Sequence, residues 1–361
     1  MSKAFNRMSH QKVIEDLYDM KVPGWLLLIL ISYLTDRKMS MKFRGVFSAL
    51  RLLPGSSPQG TVLGVILFII YFNGAALRPS IPRPSWPIFS KKRNDPAALN
   101  MKFVDDLSIV MKINLDKDIH GDVGRPKPLT FDERLETKLY DDNILQKIMG
   151  GLEEFSNSRQ MKINTKKSAV MKICKSRTKV YPTEIRIGDN FLEVKKELKI
   201  LGVILTPNLK WKANTDFACK KAFKNMWQIR RMKKLGVDEL TLVDYFLKEV
   251  RVHLEVAVPV WHSGLTLKLS ADLERVQRVA VSIILGKNDL SYDQSCSKLG
   301  LKRLTLRRTE LCLRFALKTA TKSRHKDLFE LKKTGSHEKY CRRNRFFNSP
   351  LPYLTRMLNQ S

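Results

Sequence analysis

The sequence predicts an α+β fold, mixed to about residue 212 and helical beyond it. Three observations predict this. Short apolar stretches punctuated by Pro, Gly and Asn fill the first part of the chain, as strands and short helices require. From residue 214 the apolar residues fall at helical spacing instead. Hydrophobic residues make up 43% of 361, enough for a sizeable core, so extensive disorder is excluded despite a net charge of +31.

Taken in order, residues 9–20 read as an amphipathic helix capped by Ser9, with Ile14, Leu17 and Tyr18 on one face. Pro23-Gly24 ends it, and the apolar run 25–34 reads as a buried helix. Residues 39–53 read as a strand pair turning at Arg44-Gly45. The loop Pro54-Gly55-Ser56-Ser57-Pro58-Gln59-Gly60 opens onto a second apolar helix over 62–72. Residues 79–99, rich in proline and basic side chains, read as an exposed insertion loop.

In 101–111 (MKFVDDLSIVM) apolar residues flank Asp105-Asp106, the pattern of a β-hairpin with two acids at its turn. Residues 115–140 are polar and read as a long loop. Residues 142–157 read as a helix with Ile144, Leu145, Ile148 and Leu152 inward. A strand is expected around 161–163, a pair around 184–194, and a further strand over 198–205 (LKILGVIL), after which Pro207-Asn208 turns the chain towards Trp211. Beyond 214, Phe223, Met226, Trp227 and Arg230 line a first helix beside a run of lysines and arginines. Leu242, Val243, Phe246, Leu247, Val250 and Leu254 lie on a second. A third runs from a Ser270 cap through Leu273, Val276 and Ala280 to Gly286.

The apolar runs 25–34 and 62–72 are each shorter than the roughly 20 residues that span a bilayer, so no membrane role is expected. Five scattered cysteines, with no CxxC and no Cys/His ligand spacing, point to a reducing, intracellular compartment, cytoplasmic or nuclear. Charge is regional. Residues 156–234 carry 21 Lys/Arg against 5 Asp/Glu, and residues 301–361 carry 16 against 4, so these two stretches hold 28 of the 31 net charges. Residues 105–154 hold 12 acids against 7 bases. Two basic lobes and one acidic stretch suit a phosphate binder with a local carboxylate site.

Asp105-Asp106 carries the chemistry. Adjacent carboxylates in an apolar segment repel each other, and a divalent cation removes that cost. Mg²⁺, with Mn²⁺ as an alternative, takes hard oxygen ligands and leaves positions open for phosphate oxygens. Alone the pair is a weak signal, and the order of segments adds more. Pro58-Gln59-Gly60-Thr61-Val62-Leu63-Gly64, then Phe103-Val104-Asp105-Asp106, then Met161-Lys162-Ile163-Asn164 with Lys167-Ser168, then Leu201-Gly202-Val203, resembles reverse transcriptases. The closer likeness is to those of non-LTR (LINE-type) retrotransposons. Residues 257–265 (AVPVWHSGL) and Asp272-Leu273-Glu274-Arg275-Val276-Gln277 look like the region behind the polymerase in such elements.

That resemblance implies a right-hand polymerase palm with partial fingers over 1–212, a helical thumb over 213–290 and a basic helical region over 291–361. It implies an RNA-directed DNA polymerase working by two-metal nucleotidyl transfer, with an RNA template, a DNA primer or target and deoxynucleoside triphosphates as partners. Asp105 and Asp106 match the metal-holding hairpin acids, and Gln59 and Gly60 the turn that contacts template base and incoming nucleotide. Lys167 matches a lysine near the pyrophosphate, and Leu201, Gly202 and Val203 the hairpin that grips the primer end. The family's third carboxylate lies in D-x-x-K-A-F-D, whereas this chain opens Met1-Ser2-Lys3-Ala4-Phe5-Asn6. The first Asp would fall before Met1 and Asn6 replaces the last. A truncated and catalytically impaired polymerase is therefore expected. Phe5 stands where the family keeps an aromatic against the ribose 2′-hydroxyl. The alternative is a non-catalytic RNA- or DNA-binding remnant, with Trp211 and Trp227 available for stacking on bases.

Overall fold

The computed structural model describes residues 4–53, 55–57, 60–73, 98–103, 106–111, 131–173, 184–286, 289–322, 350, 353–354 and 356–357. The chain forms two compact units. The first takes in Met1–Val170 and Tyr181–Val194, the second Met171–Val180 and Lys195–Ser361.

The first unit mixes helices and short strands. A 3₁₀ turn, Ala4–Arg7, leads into α1, His10–Asp19, whose N-cap Ser9 accepts from Lys12 N. Val13 and Leu17 are its buried residues, and Tyr18, expected inward, is exposed. The face is set by the i, i+4 pair and not by the adjacent aromatic. α2, Gly24–Leu34, buries Leu30 and Leu34 but leaves Trp25, Leu28 and Ile29 exposed, so the expected fully buried helix is buried on one side. An all-apolar run carries no periodicity from which its inner face could be told.

β1 (Lys38–Met39) pairs with β4 (Arg51–Leu52), and β2 (Lys42–Phe43) with β3 (Val46–Phe47), both antiparallel. The inner pair turns at Arg44-Gly45, both with positive φ, as expected. α3, Val62–Asn73, buries Leu67, Phe68, Tyr71 and Phe72. Its core gathers α1, α2 and α3 around Met8, Val13 and Phe68. Burying a side chain the size of Phe68 contributes about 2–3 kcal/mol.

β5 (Ala98–Phe103) and β6 (Asp106–Met111) form an antiparallel hairpin. α4, Phe131–Ser158, follows. Residues 131–140, expected as loop, are therefore helical. They are polar, but Glu, Arg, Leu and Lys are good helix formers and no Gly or Pro interrupts them. Ile148 and Leu152 are buried as expected, and Ile148 joins Met149, Ile185 and Ile187 in a second core. No strand forms at 161–163. Met161 is instead buried beneath the end of α4, its carbonyl accepting from Ser156 Oγ at 2.8 Å. After a 3₁₀ turn, Thr165–Lys167, β7 (Ala169–Val170) runs parallel to β10 (Glu193–Val194). β8 (Arg186–Ile187) and β9 (Asn190–Phe191) make the hairpin expected around 184–194. The remainder of the expected loops, 79–97 and 115–130, lies outside the described residues.

Among its described residues the second unit has one hairpin, β11 (Leu198–Ile200) with β12 (Val203–Leu205), and is otherwise built of helices and their connections. α5, Lys212–Lys234, packs on α9, Leu267–Leu285. Between them run α6 (Glu239–Tyr245), a π-helical turn over Phe246–Arg251, α7 (Val252–Glu255) and α8 (Val258–Trp261). α10 (Tyr292–Lys298) and α11 (Leu304–Lys322) follow, and the later Leu354 is buried in the same core. Leu242, Phe246, Val250 and Leu254 point inward as the spacing predicts. On α5 the buried residues are Asn214, Thr215, Ala218, Ala222, Met226 and Ile229, whereas Phe223 and Trp227 are exposed. The cap of α9 is Thr266, one turn before the expected Ser270, and Gly286 ends the helix at φ +73°. Among the described residues Cys219, Cys296 and Cys312 are free thiols, and no helix is long and apolar enough to cross a membrane.

Candidate functional site

The β5–β6 hairpin pairs Phe103 with Asp106, then Lys102 with Leu107, down to Ala98 with Met111. Two residues, Val104 and Asp105, connect the strands, and both lie outside the described residues. Side chains alternate along a strand. Leu107 packs into the core of α1–α3, and Ile109 against the Ile148 core. Period two therefore turns Asp106 to the opposite face, where it is exposed. A carboxylate at a hairpin end, open to solvent and backed by packed strands, suits an ion that keeps several waters.

Lys102, opposite Leu107, shares the inner face. Its Nζ donates to Phe72 O at 3.2 Å and Asn73 O at 2.8 Å, the last two residues of α3, and lies 5.5 Å from the Phe72 ring centre. Burial pushes its pKa below the usual lysine value. The sequence reading passed over this residue. Its signal was a lone lysine in an apolar strand, at the position facing Leu107.

The loop before α3 is tied to the start of the chain. Ser56 N donates to Met8 O at 3.0 Å, Ser57 N to Phe5 O at 2.6 Å, and His10 Nε2 sits 2.8 Å from Ser56 O. Phe5 itself stacks on Phe68, centroids 4.2 Å apart, and is half-buried. Gly60 is exposed at φ +83° with open space around its Cα, so backbone conformation and not crowding asks for glycine there. Thr61 Oγ1 then accepts from Gly64 N at 3.0 Å and caps α3. Gln59 lies outside the described residues. Lys167 is exposed at the end of its 3₁₀ turn, where its N–H donates to Asn164 Oδ1 at 3.2 Å.

In the second unit, the segment expected as one strand over 198–205 is a hairpin. Leu201 (φ +47°) and Gly202 (φ +87°) make a two-residue turn, a break that a continuous apolar run conceals. Leu201 is exposed and Val203 buried, while Ile204 N donates to Asn214 Oδ1 at 3.1 Å. The three residues therefore divide their work: Leu201 presents a side chain at the tip, and Val203 fixes the hairpin to the core.

Trp211, expected to be free for stacking, is buried. Its indole lies against Gly264, where a Cβ would come within 2.4 Å of Nε1. Trp227 is 54% exposed, with the Arg231 guanidinium 5.5 Å from its ring centre. Lys220, Lys224 and Arg230 on the same helix are exposed as well. Segments 257–265 and 272–277 are framework. Trp261 Nε1 donates to Val256 O at 2.8 Å, and Arg308 Nε to His262 Nδ1 at 3.4 Å. Burial, with Arg308 close by, pushes the His262 pKa down to about 4. Glu274 accepts from Leu304 N, Thr305 N and Tyr292 OH, and so caps α11.

Among the described residues no three His, Cys, Asp or Glu side chains gather as a metal site. The oxygen-only chemistry and exposure of Asp106 fit Mg²⁺, which is held through one or two carboxylates and completes its shell with water and phosphate.

No protein-family model matches the chain. Over 288 residues it is 20% identical to a Drosophila melanogaster protein described as "Probable RNA-directed DNA polymerase from transposon BS". That match covers 78% of this chain and 27% of the relative, so the chain spans about a quarter of the relative's length.

Proposed function

We propose that this chain is a reverse-transcriptase-type segment of a non-LTR retrotransposon, built to align an RNA template, a DNA primer end and a deoxynucleoside triphosphate. The observation that carries this reading is the β5–β6 register, which ends on Asp106 beside the Asp105 turn with its carboxylate open to solvent. The distant similarity to a transposon polymerase supports it.

Asp105 and Asp106 hold Mg²⁺ or Mn²⁺. A bound divalent ion neutralises charge on the phosphates during nucleotidyl transfer. Gln59 and Gly60 contact the nascent base pair, Phe5 lies against the ribose, Lys167 carries positive charge towards the pyrophosphate, and Leu201, Gly202 and Val203 hold the primer end. The first unit acts as palm with partial fingers and the helices of the second as thumb.

The test is metal-dependent retention of a deoxynucleoside triphosphate by the full chain. Retention should require Mn²⁺ and fall at least tenfold in Asp105→Asn and in Asp106→Asn. Retention unchanged in the double variant overturns the reading. A second reading, nucleic-acid binding without catalysis, is favoured by the exposed Trp227–Arg231 pair on basic α5. It expects Trp227→Ala to weaken RNA binding whether or not metal is present.

A further inference from the structure

The hairpin that carries Asp106 is held to its neighbours by two unlike contacts on one face. Leu107 packs into the core that α3 builds, an apolar contact without direction. Lys102, its cross-strand partner, donates to Phe72 O and Asn73 O, and hydrogen bonds of that kind have direction. Those two carbonyls belong to the last two residues of α3. The pair that closes the hairpin, Phe103 with Asp106, is one step beyond Lys102.

We propose that Lys102 is a positioning residue: its ammonium bolts the carboxylate hairpin to the C-terminal end of α3 and so fixes where Asp106 stands. The opposite end of α3 starts at the Gly60 turn. One rigid helix, about 18 Å long at 1.5 Å per residue, therefore links the nucleotide-contacting turn to the metal-holding hairpin. A lysine held in a partly buried setting, with its pKa lowered by that burial, persists because both carbonyls accept from it. The statement about metal rests on the function proposed above, and the statement about the bolt does not.

The experiment uses the full chain with Lys102→Met, which keeps the aliphatic stem, and Lys102→Arg, which keeps the cation. Amide hydrogen exchange in β5 and β6 should quicken about tenfold or more in Lys102→Met, while α9 is unchanged, and Lys102→Arg should restore most of the protection. Mn²⁺ affinity, followed by the electron paramagnetic resonance of the free ion, should fall severalfold in Lys102→Met and recover in Lys102→Arg. Unchanged exchange in Lys102→Met, or an equal loss in Lys102→Arg, overturns the bolt. Quickened exchange with Mn²⁺ affinity unchanged overturns its role in placing the acids. If Asp106→Asn leaves Mn²⁺ affinity as in the parent, the metal reading fails instead, and the exchange data still decide the bolt.

Discussion

At Gly264 the backbone runs so close to the Trp211 indole that one methyl group has nowhere to go. Trp211 is buried and cannot swing away without opening the core of the second unit. Gly264→Ala should therefore destabilise that unit by about 1–3 kcal/mol, read as an earlier urea midpoint in tryptophan fluorescence. His262 adds a pH term. Its folded pKa is about 4 against an ordinary value near 6.5, so between those values the unfolded chain binds a proton that the folded chain refuses. The stability it permits is complete above about pH 6.5 and is lost as pH falls towards 4, roughly 3 kcal/mol in all. His262→Gln should flatten that part of the stability–pH curve. An equally steep fall in the variant would assign the acid sensitivity elsewhere. At this scale the sequence marked Trp211, Gly264 and His262 through their motifs, but not that they face Gly264, Trp211 and Arg308. Such contacts join residues distant in the chain.

Among the elements, those with a distinct period or turn were legible. The acid hairpin could be read because apolar residues flank the acids, and the Arg44-Gly45 turn because Gly45 tolerates positive φ. A uniformly apolar run hides the inner face of α2, and it hides the turn at Leu201-Gly202 as well, which only the resemblance to a primer-grip hairpin marks. The role of Lys102 was hidden for another reason: its acceptors are backbone carbonyls, which carry no residue identity. α11 shows how a motif residue acts on a whole element. Its first N–H groups have no partner within the helix, and the Glu274 carboxylate accepts from two of them at 3.0 and 3.1 Å. Glu274→Ala should cost about 1–3 kcal/mol and loosen the start of α11, seen as faster amide exchange at Leu304 and Thr305. Slow exchange there in the variant would mean that the cap is supplied by another group.

For the whole molecule, the proposed binding of nucleic acid turns on charge. The stretches 156–234 and 301–361 hold 28 of 31 net charges, and the lysines and arginines of α5 that are described stand largely in solvent. Binding to RNA should release condensed counterions. With about six phosphates neutralised, affinity should drop roughly a thousandfold between about 50 and 200 mM salt. A flat salt profile would contradict a phosphate-tracking surface. The α+β plan, with helices alone in the later part, was visible from the change of apolar period near residue 214. The packing that puts the hairpin over 198–205 with those helices was not visible, because it depends on Ile204 N meeting Asn214 Oδ1 across a loop.

The central claim is that the acids at the β5–β6 tip bind a divalent cation. It is tested most directly by titrating Mn²⁺ into the full chain and following the electron paramagnetic resonance signal of the free ion. The account predicts a site in the parent chain that disappears in the Asp105→Asn, Asp106→Asn double variant, with the α5–α9 core still folded. An identical titration curve for parent and double variant would contradict it.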